Sequence, residues 1–140
     1  MLQPSTSRHK KQFKGRTKLK AKAGWSVVWG AFGLVMCASA RIDGRQIEAA
    51  RMAIMKHIKK LGKLWIRVFP DVPVTKKPIE VRMGKGKGEV EKWVFRAGAG
   101  RMLFEVGGVS EEVARAALKA ASFKFGVKTV FVNRANELLC

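Results

Sequence analysis

Val81-Arg82-Met83-Gly84-Lys85-Gly86-Lys87-Gly88 decides how this chain is read. Alternating Gly and Lys cannot fill a core, because Gly loses the most backbone entropy on ordering and Lys is rarely buried unpaired. Yet Ile79 and Val81 lead into the stretch, and Val90, Trp93, Val94 and Phe95 follow it. These apolar runs predict two strands holding a cationic, glycine-thin tip away from the body. Gly lets a backbone lie close to a surface and leaves its amides free to face anions, so the tip suits phosphates. The Gly-x-Gly-x-Gly spacing matches neither the dinucleotide fingerprint nor the P-loop. Strand-like sequence follows it where those motifs need a helix.

Outward from the tip, Leu64 to Phe69 predicts a strand stopped by Pro70 and Asp71, and Val72 to Pro78 a turn-rich connection. On the other side, Val90 to Ala97 and Met102 to Val106 predict strands joined by a turn at Gly98-Ala99-Gly100. Asp43 to Leu61 predicts a helix, with Asp43 as N-cap, Gln46 completing a capping box and Gly62 as C-cap. Its core stripe is Ile47, Ala50, Ile54, Ile58 and Leu61. Ser110, with Glu111 and Glu112 after it, starts a second helix that packs through Val113, Ala116, Ala117, Ala120 and Ala121. Gly126 ends that helix, and Val127 to Val132 is the last strand. The apolar run Trp25 to Ala40 reads as a buried strand bent at Gly30 and Gly33. Two helices among about six strands give the α+β class: a two-layer α/β sandwich, its sheet mixed or antiparallel, with both helices on one face.

Charge then points to a partner. Lys and Arg number 29 against 10 Asp and Glu, a net +19 that opposes compaction until a polyanion neutralises it. Nucleic acid is the leading partner and an anionic membrane surface the second. No acid precedes Asp43, and Met1 to Lys22 has few apolar residues. Residues 1–24 are therefore read as a basic arm, disordered alone, that orders along phosphates through Lys10, Lys11, Lys14, Arg16 and Lys18. Residues 25–140 form a single domain. On its first helix Arg45 and Arg51 lie where the dipole gives cations no benefit, which marks an RNA-facing flank. Lys59, Lys60 and Lys63 extend that flank, and Lys76 and Lys77 lead to Arg82, Lys85 and Lys87 in the loop.

Catalytic constellations are not visible. Cys37 and Cys140 are far apart, which favours a reducing compartment over a disulfide framework. His9 and His57 have no ligand partner at metal spacing. The carboxylate pairs Glu89/Glu91 and Glu111/Glu112 have no neighbouring His or Cys. The expectation is a protein that is no enzyme and holds no cofactor or metal. Two rivals remain: a basic stretch, an apolar stretch and Ala38-Ser39-Ala40 imitate a signal peptide, as in an exported or membrane-surface cationic protein, and the charge also suits a small basic DNA-compacting protein. The apolar run is shorter than the roughly 20 residues a membrane span needs.

Several strings resemble the universal large-subunit ribosomal protein sixteen family. They are Met1-Leu2-Gln3-Pro4, Phe13-Lys14-Gly15-Arg16, Gly30-Ala31-Phe32-Gly33-Leu34 and Arg45 to Arg51. Most specific is Gly62-Lys63-Leu64-Trp65-Ile66-Arg67-Val68-Phe69-Pro70-Asp71, continuing through Pro73, Thr75 and Lys76-Lys77-Pro78 to the Arg82–Gly88 loop. The resemblance implies an α/β sandwich bound to large-subunit rRNA, with other large-subunit ribosomal proteins as neighbours, no membrane and no homo-oligomer. It implies that Arg82 to Gly88 reaches toward the peptidyl transferase centre. There it helps organise the aminoacyl-tRNA site and contacts A-site tRNA, with P-site tRNA as a further candidate, while the arm threads into RNA. It implies a cytoplasmic location in the ribosome, with an organellar ribosome as the alternative. Ser5-Thr6-Ser7, Val35-Met36 and the tail Arg134 to Cys140 depart from the family pattern.

Overall fold

A computed structural model of the chain describes residues 2–17 and 20–135. In chain order the elements are β1 (Phe32–Met36), β2 (Ala40–Asp43), α1 (Gly44–Ile58), β3 (Lys63–Ile66) and β4 (Val72–Lys76). Then come β5 (Glu89–Ala97), β6 (Met102–Gly107), α2 (Glu111–Ser122) and β7 (Thr129–Asn133). The expected α+β class stands, with the strands divided between two antiparallel sheets: β3-β6-β1-β7 and β2-β5-β4.

β1 explains the apolar run around Phe32. All five of its residues are buried, because β6 and β7 flank it and both of its faces are covered. Phe32, Leu34 and Met36 join the main core with Ile47, Ile54, Phe104 and Leu118. Val35 points the other way, onto Val27, Met102 and Val132. A strand covered on both sides reads as continuous hydrophobicity in place of alternation. The glycines here serve close approach. A Cβ on Gly33 would lie 2.5 Å from the Met102 sulfur, and one on Gly30 2.6 Å from the Val106 carbonyl oxygen. Because β1 is paired on both edges, the signal-like run is part of the fold itself. No helix among the described residues is long and apolar enough to cross a membrane.

α1 has the expected capping box: the Asp43 side chain accepts from the helix's first turn and the Asp43 N–H donates to Gln46 Oε1 at 3.0 Å. Ile47, Ala50, Ile54 and Ile58 are buried as read. The end of the helix differs. Lys59 caps the helix at a positive φ of 55° and donates its N–H to the Met55 carbonyl, so Leu61 lies past the helix and is 81% exposed. Gly62 is needed for packing, not capping, since a Cβ there would meet Ile58 and Val109 within 2.7 Å. In α2 the buried positions are Ala114, Ala117, Leu118 and Ala121. The expected face is rotated, Val113 and Ala116 being exposed, and Ser110 makes no side-chain cap bond.

The largest departure precedes the loop. Val72 to Lys76, read as turn-rich, is strand β4, with Val72 and Pro73 buried. Pro73 is tolerated because β4 is an edge strand. Ile79 and Val81, read as strand, are exposed loop, Ile79 to 96%. β2 was not foreseen; it pairs with β5 and contributes Ile42 to the main core.

Candidate RNA interface

β4 and β5 form a hairpin whose long connection carries the glycine–lysine stretch. Its neck is tight: a Cβ on Gly88 would sit 2.7 Å from the Lys76 carbonyl oxygen. Lys77 donates to the Gly84 carbonyl, which folds the loop back on its own base. Beyond that contact the loop is open. Gly84, Lys85 and Gly86 all have positive φ (98°, 55° and 83°), and nothing lies within 4 Å of where a Cβ on either glycine would be. Backbone amides in such an open turn are accessible to anions. Arg82 and Lys85 are exposed, and no hydrogen bond or ion pair engages either among the described residues.

The arm comes to this hairpin. Lys11 Nζ donates to the Lys87 carbonyl at 3.0 Å and to Glu89 Oε1 at 3.1 Å. Lys87 Nζ returns a bond to the Gln12 carbonyl at 2.6 Å and lies 5.6 Å from the Phe13 ring centroid. From there the chain runs over the three-stranded sheet in the direction of β5. Arg41 donates to the Gly15 carbonyl, Ala21 N–H to the Ala99 carbonyl, Arg101 to the Ala23 carbonyl and Met102 N–H to the Gly24 carbonyl. Arg41 and Arg96 are directly opposite each other on β2 and β5. Like charges so placed repel; here Arg41 turns to the arm's carbonyl oxygens and Arg96 lies beside Gly15.

The structure thus brings Lys11, Lys76, Lys77, Arg82, Lys85 and Lys87 together around one hairpin, with Lys10, Lys14 and Arg16 exposed along the arm. Lys76 is shared with Glu91 at 3.5 Å. Lys18 and Cys140 lie outside the described residues. Arg45 is exposed at the start of α1, while Lys59, Lys60 and Lys63 cluster beyond its end. Arg51 is half-buried and bonded to Glu48 at 2.5 Å. That hydrogen bond holds the Glu48 carboxyl below the usual carboxylate range and raises the Arg51 guanidinium. Among the described residues no cluster of His, Cys, Asp or Glu could hold a metal ion.

One charged centre escaped the sequence reading. Glu105, in β6, is fully buried. Its Oε2 accepts from three consecutive backbone N–H groups, those of Val28, Trp29 and Gly30, at 3.1, 2.7 and 2.9 Å. Its Oε1 accepts from Arg67. Arg67 also lies 4.5 Å over the Trp29 ring. Burial, with the nearby Arg101 charge, lowers the Arg67 pKa, though a guanidinium stays charged regardless. The only signal was an acid inside an apolar strand, and its partners lie 38 or more residues away.

Residues 4–132, which include the arm, the β1 run and the hairpin, match the family described as Ribosomal protein L16p/L10e. The chain belongs to that family. Proteins named large ribosomal subunit protein uL16 from Allorhizobium ampelinum and Sinorhizobium medicae are each 56% identical over 137 residues, covering 98% of this chain and all of theirs. The counterpart from Agrobacterium fabrum is 55% identical over the same span. Membership in the L16p/L10e family bears out the resemblance read from the Gly62–Asp71 string and the loop after it.

Proposed function

We propose that the chain presents its Arg82–Gly88 loop to tRNA in the aminoacyl site of the large ribosomal subunit, while the arm and the lysine-rich flanks bind the subunit's RNA. As a member of the L16p/L10e family it is a structural constituent of the large subunit and not an enzyme. The named relatives support large-subunit rRNA and other ribosomal proteins as partners and a bacterial, cytoplasmic ribosome as the location. The observation that carries the loop's role is its combination of a fixed neck and a free tip. Gly88 and Lys77 hold the base, while Arg82 and Lys85 pair with none of the described residues and the space beside Gly84 and Gly86 is open.

The work is positioning. Lys and Arg release counterions from phosphates, a sequence-independent attraction that weakens steeply with salt. Shape decides location, since A-form RNA hides its major-groove base edges from side chains. Arg82 can fork two phosphate oxygens, whereas Lys85 acts as a point charge on a flexible stem. Lys85→Glu tests the reading in reconstituted large subunits. Losing one charge-assisted contact should weaken aminoacyl-site tRNA binding roughly tenfold. The free protein's thermal midpoint should move by no more than about 2 °C, as for other exposed substitutions. Unaltered tRNA affinity would remove the loop from the site.

A further inference from the structure

A concave feature lies away from the loop. Trp29, Phe69 and Phe95 wall an open concavity of about 550 Å³, together with Arg67, Arg101 and Leu2. Trp29 is 57% exposed and Phe69 45% exposed, unusual for rings of that size beside a formed core. Both guanidiniums are pinned from behind. Arg67 is held by Glu105 and by the Ser26 carbonyl, and Arg101 by the carbonyls of Ala23 and Arg67. Arg101 Nε is buried without a hydrogen-bond partner. Asp71 also lines the concavity and supplies an acceptor.

We infer that this concavity receives one unpaired nucleobase of the large-subunit RNA. The inference rests on the RNA-binding reading above and adds a site to it. Apolar aromatic walls interleaved with fixed cations match the two halves of a splayed-out nucleotide. The base stacks on Phe69 beside Trp29, and its backbone phosphate is drawn to Arg101, which no carboxylate neutralises among the described residues, while Arg67, paired with Glu105, holds the Trp29 ring in place. A net +19 protein attracts the polyanion that supplies such a base. Asp71 favours a base with an exocyclic amine, which can donate to a carboxylate.

Equilibrium binding of the full chain to large-subunit RNA over a salt series, with base-specific chemical probing, tests this. Phe69→Ala should weaken binding by roughly fivefold to a hundredfold, the range for one stacked base. The salt slope should stay as in the unmodified chain, because no phosphate contact is removed. Phe69→Trp should restore affinity, and one base protected by the unmodified chain should become reactive with Phe69→Ala. Ultraviolet crosslinking of the unmodified chain is an independent measurement. A crosslink at Trp29 or Phe69 supports the site, and crosslinks confined to the arm and loop overturn it. Equal affinity and an equal footprint for Phe69→Ala overturn it as well, while leaving the RNA-binding reading intact. Failure of the unmodified chain to bind the RNA at all sinks both.

Discussion

Replacing Glu105 by Gln probes the interior charge that holds the 28–30 segment in place. The substitution keeps the shape and removes the charge. The carboxylate now accepts three backbone N–H groups on one oxygen and the Arg67 guanidinium on the other. An amide has one acceptor oxygen, so its NH2 must face either the backbone donors or Arg67. Turning the oxygen to the backbone leaves Arg67, only 13% exposed, without its counter-charge. Removing one member of a buried pair costs about 3–5 kcal/mol. The Ser26 carbonyl and the Trp29 ring still engage Arg67, which sets the expectation at about 3 kcal/mol, the lower end of that range. A domain is stable by roughly 5–15 kcal/mol, so Glu105→Gln should fold while being visibly weakened. With urea m-values of about 1–3 kcal/mol/M, the midpoint should fall by roughly 1–3 M. Adding Arg67→Met should recover part of the loss, because the stranded cation is gone. Tryptophan emission, read in the same titration, should report early release of the segment carrying Trp25 and Trp29. A midpoint change equivalent to less than about 1 kcal/mol would show that the carboxylate is not what holds it.

The hairpin's glycines should separate by role. Gly88→Ala, driven against the Lys76 backbone, should cost about 1–3 kcal/mol in a thermal melt. Gly86→Ala, in open space at φ 83°, should cost only the left-handed penalty of about 1–2 kcal/mol. Lys87→Met removes the bond to the Gln12 carbonyl, so limited trypsin digestion should cut faster between Arg8 and Arg16; an unchanged cleavage pattern would count against the arm contact. Arg51→Ala should let the Glu48 carboxyl titrate higher, back toward the ordinary range, as followed by NMR. Because the folded-state value is lowered, the pair's stabilisation is present above the ordinary carboxylate range and is lost as pH falls through the folded value. Both side chains are about 40% exposed, so the stability change should be within about 0.5 kcal/mol.

What was legible from the chain followed from how local its causes are. Asp43 with Gln46, and the acids after Ser110, announce helix starts through groups within one turn, and both helices begin there. β5 and β6 were readable from their apolar content and the turn between them. The end of α1 was not, because Lys59 adopts a conformation usually left to Gly, while Gly62 answers to Ile58 and Val109 packing against it. The face of α2 was ambiguous because alanines occur on both sides of it; Leu118 and Ala114 decide it through packing. β4 was hidden by Pro73, since edge position cannot be seen before the sheet exists. The cations of the loop and arm stood out in the sequence. Their meeting at Lys87 and Glu89, and the burial of Glu105, depend on contacts 75 or more residues apart that no local pattern encodes.

The pairing of β7 with β1 has a consequence for biosynthesis. Strand Phe32–Met36 is made well before its partner Thr129–Asn133. At about 5–20 residues per second, the intervening chain takes roughly 5 to 20 s to translate. Throughout that interval one border of an almost wholly apolar ribbon is uncapped, in a nascent chain that must also stay clear of stray polyanions. An uncapped border of this kind invites pairing with other chains. A nascent chain of this kind gains from a chaperone's cover until β7 pairs with β1.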